Sequence, residues 1–175
     1  GVTIGIVDTG IATDHSEFTG KYKFGYDYVN NTSTSSDPHG HGSHVAGIAA
    51  ATRDGVGVHG VAYGASLANG RGLNAWGSGS YDNLGKGINY LAAGGARVIN
   101  NSWDSNTPIT SMTTSSYDLF YSAYLSTIHS ALENDSLIVF AAGNDSHSEV
   151  SVSGGLPYLY PEFESKWLVV GSLDE

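Results

Sequence analysis

The sequence predicts an α/β fold of three layers: a mostly parallel sheet with helices on both faces. Two features carry this. Short apolar runs rich in β-branched residues alternate with segments of helical periodicity, as strands do when crossover helices join them. The runs are also short and separated by those helical segments, as in a mostly parallel sheet covered on both faces. The 175 residues suffice for one domain. With no internal repeat and no linker, residues 1–175 read as one α/β domain.

Taken in order, residues 2–7 (Val-Thr-Ile-Gly-Ile-Val) form the first strand. A helix starts near Gly42 and runs through Val45, Ile48 and Ala49, and residues 66–73 give the next strand. Residues 81–93 are helical, with Tyr81, Leu84, Ile88 and Leu91 on one face. A strand over 98–101 follows. The helix over 117–134 aligns Tyr121, Leu125, Ile128 and Leu132, and Ser115 three before Asp118 offers a capping box. Residues 137–141 and 167–171 are the last strands, and 30–36 is a polar loop.

Composition removes several function classes. Seven Lys and Arg against 17 Asp and Glu leave a net charge of −10 with histidine neutral, which excludes electrostatic binding of nucleic acid. The absence of cysteine excludes disulfide frameworks, thiolate zinc sites and a cysteine nucleophile. The longest apolar stretch, 137–143, falls far short of the ~20 residues of a membrane helix, so no membrane span is expected. No basic segment precedes an apolar one at the N-terminus, so no signal peptide is expected.

Parallel sheets gather function beyond the carboxyl ends of their strands. Two such ends stand out, Asp8-Thr9-Gly10 after the first strand and Gly143-Asn144-Asp145 after the strand over 137–141. His39, His41 and His44 crowd between Asp37 and Gly47. A solvated loop is one reading. A zinc site is another, since the His-x-His-x-x-His spacing resembles the metallo-β-lactamase-like hydrolases, although Ser43 stands where that pattern has Asp. A general base is the third, with Asp8 as the carboxylate that fixes the imidazole.

Val7-Asp8-Thr9-Gly10-Ile11 and His41-Gly42-Ser43-His44-Val45-Ala46-Gly47 resemble the Asp and His motifs of the subtilisin-like serine peptidases (subtilases). Ala141-Ala142-Gly143-Asn144 is similar to their oxyanion-hole motif. Residues 98–103 are similar to one substrate-binding strand, and Gly77-Ser78-Gly79 sits where the other lies. The Asn-rich loops and Asn101-Ser102-Trp103 further resemble passenger domains of bacterial autotransporter subtilases, which implies an extracellular or cell-surface location.

The resemblance implies roles. Asp8 orients His41, His41 moves the proton of a serine, and Asn144 donates to the oxyanion. An extended polypeptide substrate lies between Gly77, Ser78 and Gly79 on one side and Ser102, Trp103 and Asp104 on the other, with Ala141, Ala142 and Gly143 leading to the oxyanion donor. Trp103 walls a pocket or belongs to the core. Asp104 stands where the family usually has Gly, and with Asp145 it implies a mild preference for basic substrate residues. No cofactor is needed for the chemistry. A calcium site would use Glu17, Asp54 and the carbonyls of Thr52, Val56 and Val58, although Glu17 is longer than the usual Asp.

The family's nucleophile segment, Gly-Thr-Ser-x-Ala, is absent. Thr110-Ser111-Met112 spells its centre but precedes Asn144 and lacks the flanking Gly and Ala, and Ser172 precedes Leu-Asp at a strand end. The resemblance therefore implies that residues 1–175 are the N-terminal portion of a single catalytic domain, incomplete at its C-terminus, whose serine lies on a remaining C-terminal part, and that they are inactive alone. The alternative is a non-catalytic subtilase-fold module that binds peptide or a partner protein. Without the remaining part, Tyr158, Tyr160, Phe163 and Trp167 are expected to expose apolar surface.

Overall fold

Thr3–Ile6 becomes the strand β1 and lies in the middle of a six-stranded sheet. The computed structural model describes residues 1–173. The other strands are β2 (Tyr22–Asp27), β3 (Ser66–Arg71), β4 (Val98–Asn101), β5 (Leu137–Ala141) and β6 (Trp167–Val170). Their order is β2-β3-β1-β4-β5-β6, and every pair is parallel. The expected class holds, and β2 is an addition to it. Tyr22, Phe24 and Tyr26 alternate around Lys23 and Gly25 on an edge strand, a pattern weaker than the continuous runs of the interior strands.

Register fixes which side chains share a face. Gly5 pairs with Ala68 and Ile99, and that face receives the helices α2 (Tyr81–Ala93) and α3 (Thr114–Leu132). On the opposite face Ile6 and Leu67 meet Ala46 and Ala50 of α1 (His41–Ala50). The three layers are thus α1, the sheet, and the α2–α3 pair.

The buried face of α1 is Gly42, Ala46 and Ala50. A Cβ on Gly42 would collide with the Gly10 carbonyl, so the helix approaches the sheet so closely that only its smallest residues fit inward. Ile48 accordingly points out, 59% exposed. The start of α3 also differs: Thr113 and Ser116 form the reciprocal cap, and Asp118 instead accepts the Tyr160 hydroxyl at 2.6 Å.

Tyr160, Phe163 and Trp167 are buried, contrary to expectation, and only Tyr158 of that group is exposed. Two short 3₁₀ segments, Leu156–Tyr158 and Pro161–Lys166, fold the chain back. Trp167 stacks on Phe140 with centroids 5.0 Å apart, and Lys166 ties the turn to the Leu132 and Asn134 carbonyls at the end of α3. The apolar surface left open lies elsewhere. On the α1 side of the sheet, Leu168 and Val170 of β6 are 47% and 53% exposed beside Val139, and no helix of the described residues covers them.

Candidate active site

Four strand ends build one rim. β1 runs into Asp8, β3 into Gly72 and Leu73, β4 into Ser102 to Asp104, and β5 into Ala142 to Asn144. The parallel arrangement puts all four at the carboxyl edge of the sheet. Gly72 and Leu73 both donate their backbone N–H to the Asp8 carbonyl at 3.1 Å, so the first two ends are stitched together.

Asp8 is fully buried and accepts the Thr9 N–H at 2.7 Å. His41 Nδ1 lies 2.8 and 2.9 Å from its two carboxylate oxygens. An ionised carboxylate only accepts, so the proton of neutral His41 sits on Nδ1 and Nε2 keeps its lone pair. The His41 side chain is 42% exposed, which leaves its ring open to a reactant while its anchor is shut away from water. Burial pushes the Asp8 carboxyl above its ordinary value, more than the hydrogen bonds from His41 and Thr9 draw it down.

His41 is the first residue of α1, and Asp37 sets that terminus. Its carboxylate accepts the Ser43 N–H (2.8 Å) and hydroxyl (2.6 Å), the Gly40 N–H (2.8 Å) and the Thr9 hydroxyl (2.7 Å). Thr9 in turn accepts the Gly42 N–H at 3.0 Å. Burial works to raise the Asp37 carboxyl, but these donors outweigh it and hold it below its ordinary value. The sequence reading gave Asp37 no role; an Asp placed three before Gly40, at the start of a helix lacking its own side-chain cap, was the available signal.

The three histidines part ways. His39 stacks edge-on to His41 with ring centroids 6.2 Å apart and lies against Gly77, whereas His44 lines a separate apolar cavity with His15, Phe18, Ile48 and His59. Among the described residues, no three His, Asp or Glu side chains gather in a way that holds a metal ion, so the zinc reading has no site.

Residues 77–79 are not an edge strand but a turn about Asn74, whose carbonyl and side chain hold the N–H groups of Gly77, Trp76 and Ser78. This turn faces Trp103 and Asp104 across a cleft of about 240 Å³, floored by Leu73 and Leu84 and walled by Tyr81. Trp103 is both wall and core: it is buried and packs edge-on to Phe140 at 5.0 Å. Ser102 accepts the Asn100 amide at 2.8 Å, and Ala141 stays within the β5 ladder. Ala142, Gly143 and Asn144 open instead onto a second cavity of about 380 Å³, with Asp145, Glu149 and Ser151 among its walls.

Gly143 adopts a left-handed φ of +118°, turning the chain out of β5, and Asn144 is exposed. Its backbone N–H is accepted by Asp104 at 3.0 Å. Ser111 is no nucleophile in this arrangement: its hydroxyl donates to the Pro108 carbonyl at 2.7 Å within the 3₁₀ turn Ile109–Ser111.

Of the calcium ligands implied by the sequence, Glu17 Oε1 accepts the Val58 N–H at 3.4 Å, while its Oε2 is buried without a partner. That orphaned oxygen fits a cation. Asp54 fits less well, since it is exposed and accepts the Val56 N–H of its own turn at 3.0 Å.

The model of the Subtilase family matches residues 1–175. An extracellular serine protease of Serratia marcescens is 32% identical across the whole chain, which spans 20% of that protein. Thermitase of Thermoactinomyces vulgaris is 34% identical, again across the whole chain, which spans 56% of it. The chain thus covers well under two thirds of the length of either relative. The crystal structure of a cold-adapted subtilisin-like serine proteinase superposes with a TM-score of 0.66 and 31% identity, over 82% of this chain and 47% of that one.

Proposed function

The chain belongs to the subtilase family, and from that premise we propose that it is the N-terminal portion of the catalytic domain of a secreted serine endopeptidase. The observation that carries this is the bidentate contact of His41 Nδ1 with the fully buried Asp8, on the strand edge where Asn144 also emerges. A histidine so fixed, with Nε2 unprotonated and its ring exposed, is a general base awaiting a hydroxyl.

In this reading a serine beyond the present residues attacks the scissile carbonyl and passes its proton to His41 Nε2. His41 later delivers that proton to the leaving amine. Asp8 stabilises the imidazolium formed between the two transfers, and the Asn144 side-chain amide donates to the tetrahedral oxyanion. The polypeptide lies in the cleft between residues 77–79 and 103–104. The open sheet face at Val139, Leu168 and Val170 supports the missing partner segment, because it is apolar and lies on the same side as α1. Glu17 would hold calcium with the loop carbonyls of Thr52, Val56 and Val58, a structural ion outside the chemistry.

An extracellular location fits the names of the Serratia relatives, and display at a bacterial cell surface by an autotransporter is the finer form of the same proposal. The test is hydrolysis and fluorophosphonate labelling. The full-length protein should cleave peptides and take the label, and His41→Ala should abolish cleavage. Residues 1–175 alone should do neither. Labelling of the short chain at Ser111 would sink the assignment.

A further inference from the structure

We propose that Asp104 is a positioning residue for the oxyanion donor, holding the Gly143–Asn144 turn in place by accepting the Asn144 backbone N–H. This rests on the peptidase reading above and assigns a task to a residue that departs from the family's usual glycine.

The β5 ladder ends early. Ala142 N donates to the Val170 carbonyl at 3.0 Å, and beyond it residues 143–149 are all exposed. Among the described residues, the bond from Asn144 N to Asp104 Oδ2, at 3.0 Å, is the single hydrogen bond that segment 143–149 makes to the rest of the molecule. Without it, the residue carrying the donor amide would hang on a glycine hinge in the left-handed region.

Asp104 is itself well anchored. It follows Trp103, whose buried ring is clamped edge-on by Phe140 at 5.0 Å and Tyr81 at 6.2 Å. Tyr81, the first residue of α2, is pinned in turn by a 2.8 Å hydrogen bond to Ser153. Gly143 completes the fit: a Cβ there would come within 3.0 Å of the Asp104 carboxylate, so the absent side chain leaves room for the bond. The carboxylate thus reaches from the end of β4 to the end of β5 and ties the donor to the aromatic cluster of Trp103, Phe140 and Tyr81. Preorganisation gives an oxyanion donor its worth, and misplacement by about 1 Å costs roughly 10²-fold in rate.

A double-mutant cycle in kcat on the full-length protein tests this. Asp104→Ala should lower kcat roughly tenfold or more, the range that displacement of a catalytic group produces. In an Asn144→Ala background the same change should cost under about twofold, since no donor amide is left to position. Asp104→Asn, whose carbonyl oxygen can still accept the N–H, should recover most of the loss. General destabilisation would reduce kcat alike in both backgrounds, so equal losses overturn the proposal. So does an Asp104→Asn variant as slow as Asp104→Ala, or an Asp104→Ala variant with wild-type kcat. A full-length protein that cleaves nothing and takes no fluorophosphonate label instead overturns the peptidase reading, and this inference with it.

Discussion

Asp37 accepts both the backbone N–H and the hydroxyl of Ser43, at 2.8 and 2.6 Å, and so caps α1 from outside the helix. Asp37→Ala should therefore destabilise the protein by about 1–2 kcal/mol, the worth of a strong N-cap. It should also lower kcat, because His41 begins that helix. The carboxyl titrates below its ordinary value in the folded state. Its contribution is thus present above the unfolded pKa of about 3.9 and is lost as pH falls through the folded value. Thermal melts of wild type and variant should converge at acid pH.

Asp8 has the opposite sign. Burial raises its carboxyl, so the folded state binds its proton more tightly than the unfolded chain does. That favours the fold at low pH, and the advantage disappears as pH rises through the folded value. Asp8→Asn should raise the melting temperature at neutral pH by about 2–4 °C per kcal/mol of burial cost relieved. If the proposed peptidase reading holds, the same change in the full-length protein should cut kcat by about 10⁴, the loss it produces in serine-protease triads. A variant both less stable and inactive would contradict the burial argument.

Arg71 and Asp27 form a buried ion pair at 2.7 Å, joining β3 to β2 in register. Arg71 also donates through Nε to the Leu73 carbonyl at 3.2 Å, on the floor of the cleft. Arg71→Ala leaves a buried carboxylate unpaired and should cost about 3–5 kcal/mol in denaturant unfolding.

Asp145 and Glu149 wall the cavity beside Asn144. The full-length protein should turn over peptides with Lys or Arg before the cleaved bond a few-fold faster than those with Glu, and rising salt should shrink the difference. Equal turnover at low salt would dismiss these carboxylates as selectivity elements.

Calcium should raise the melting temperature relative to chelator, following the mass-action law for a ligand of the folded state. Glu17→Gln should remove most of that response, since the buried Oε2 is the oxygen without a partner. Identical melts of wild type in calcium and in chelator would dismiss the site.

Much was legible in the sequence because it was written in contiguous residues. The apolar runs dictated five of the six strands, since each concentrates Val, Ile, Leu or Ala in a short stretch between helical segments. Asp8, His41 and Asn144 stood out because each sits beside glycines at a strand or helix end. Tertiary structure decided the rest. β2 took its place by pairing with β3, an edge position its mixed sequence does not announce. α1 turned Ile48 outward because close approach to Gly10 admits only small side chains, a packing constraint that helical periodicity does not encode. Tyr160, Phe163 and Trp167 were buried by 3₁₀ turns that carry them back onto α3 and β5. The bonds of Asp37 to Thr9 and of Asp104 to Asn144 span 28 and 40 residues, and only the folded sheet, by bringing distant strand ends to one edge, lets such groups meet.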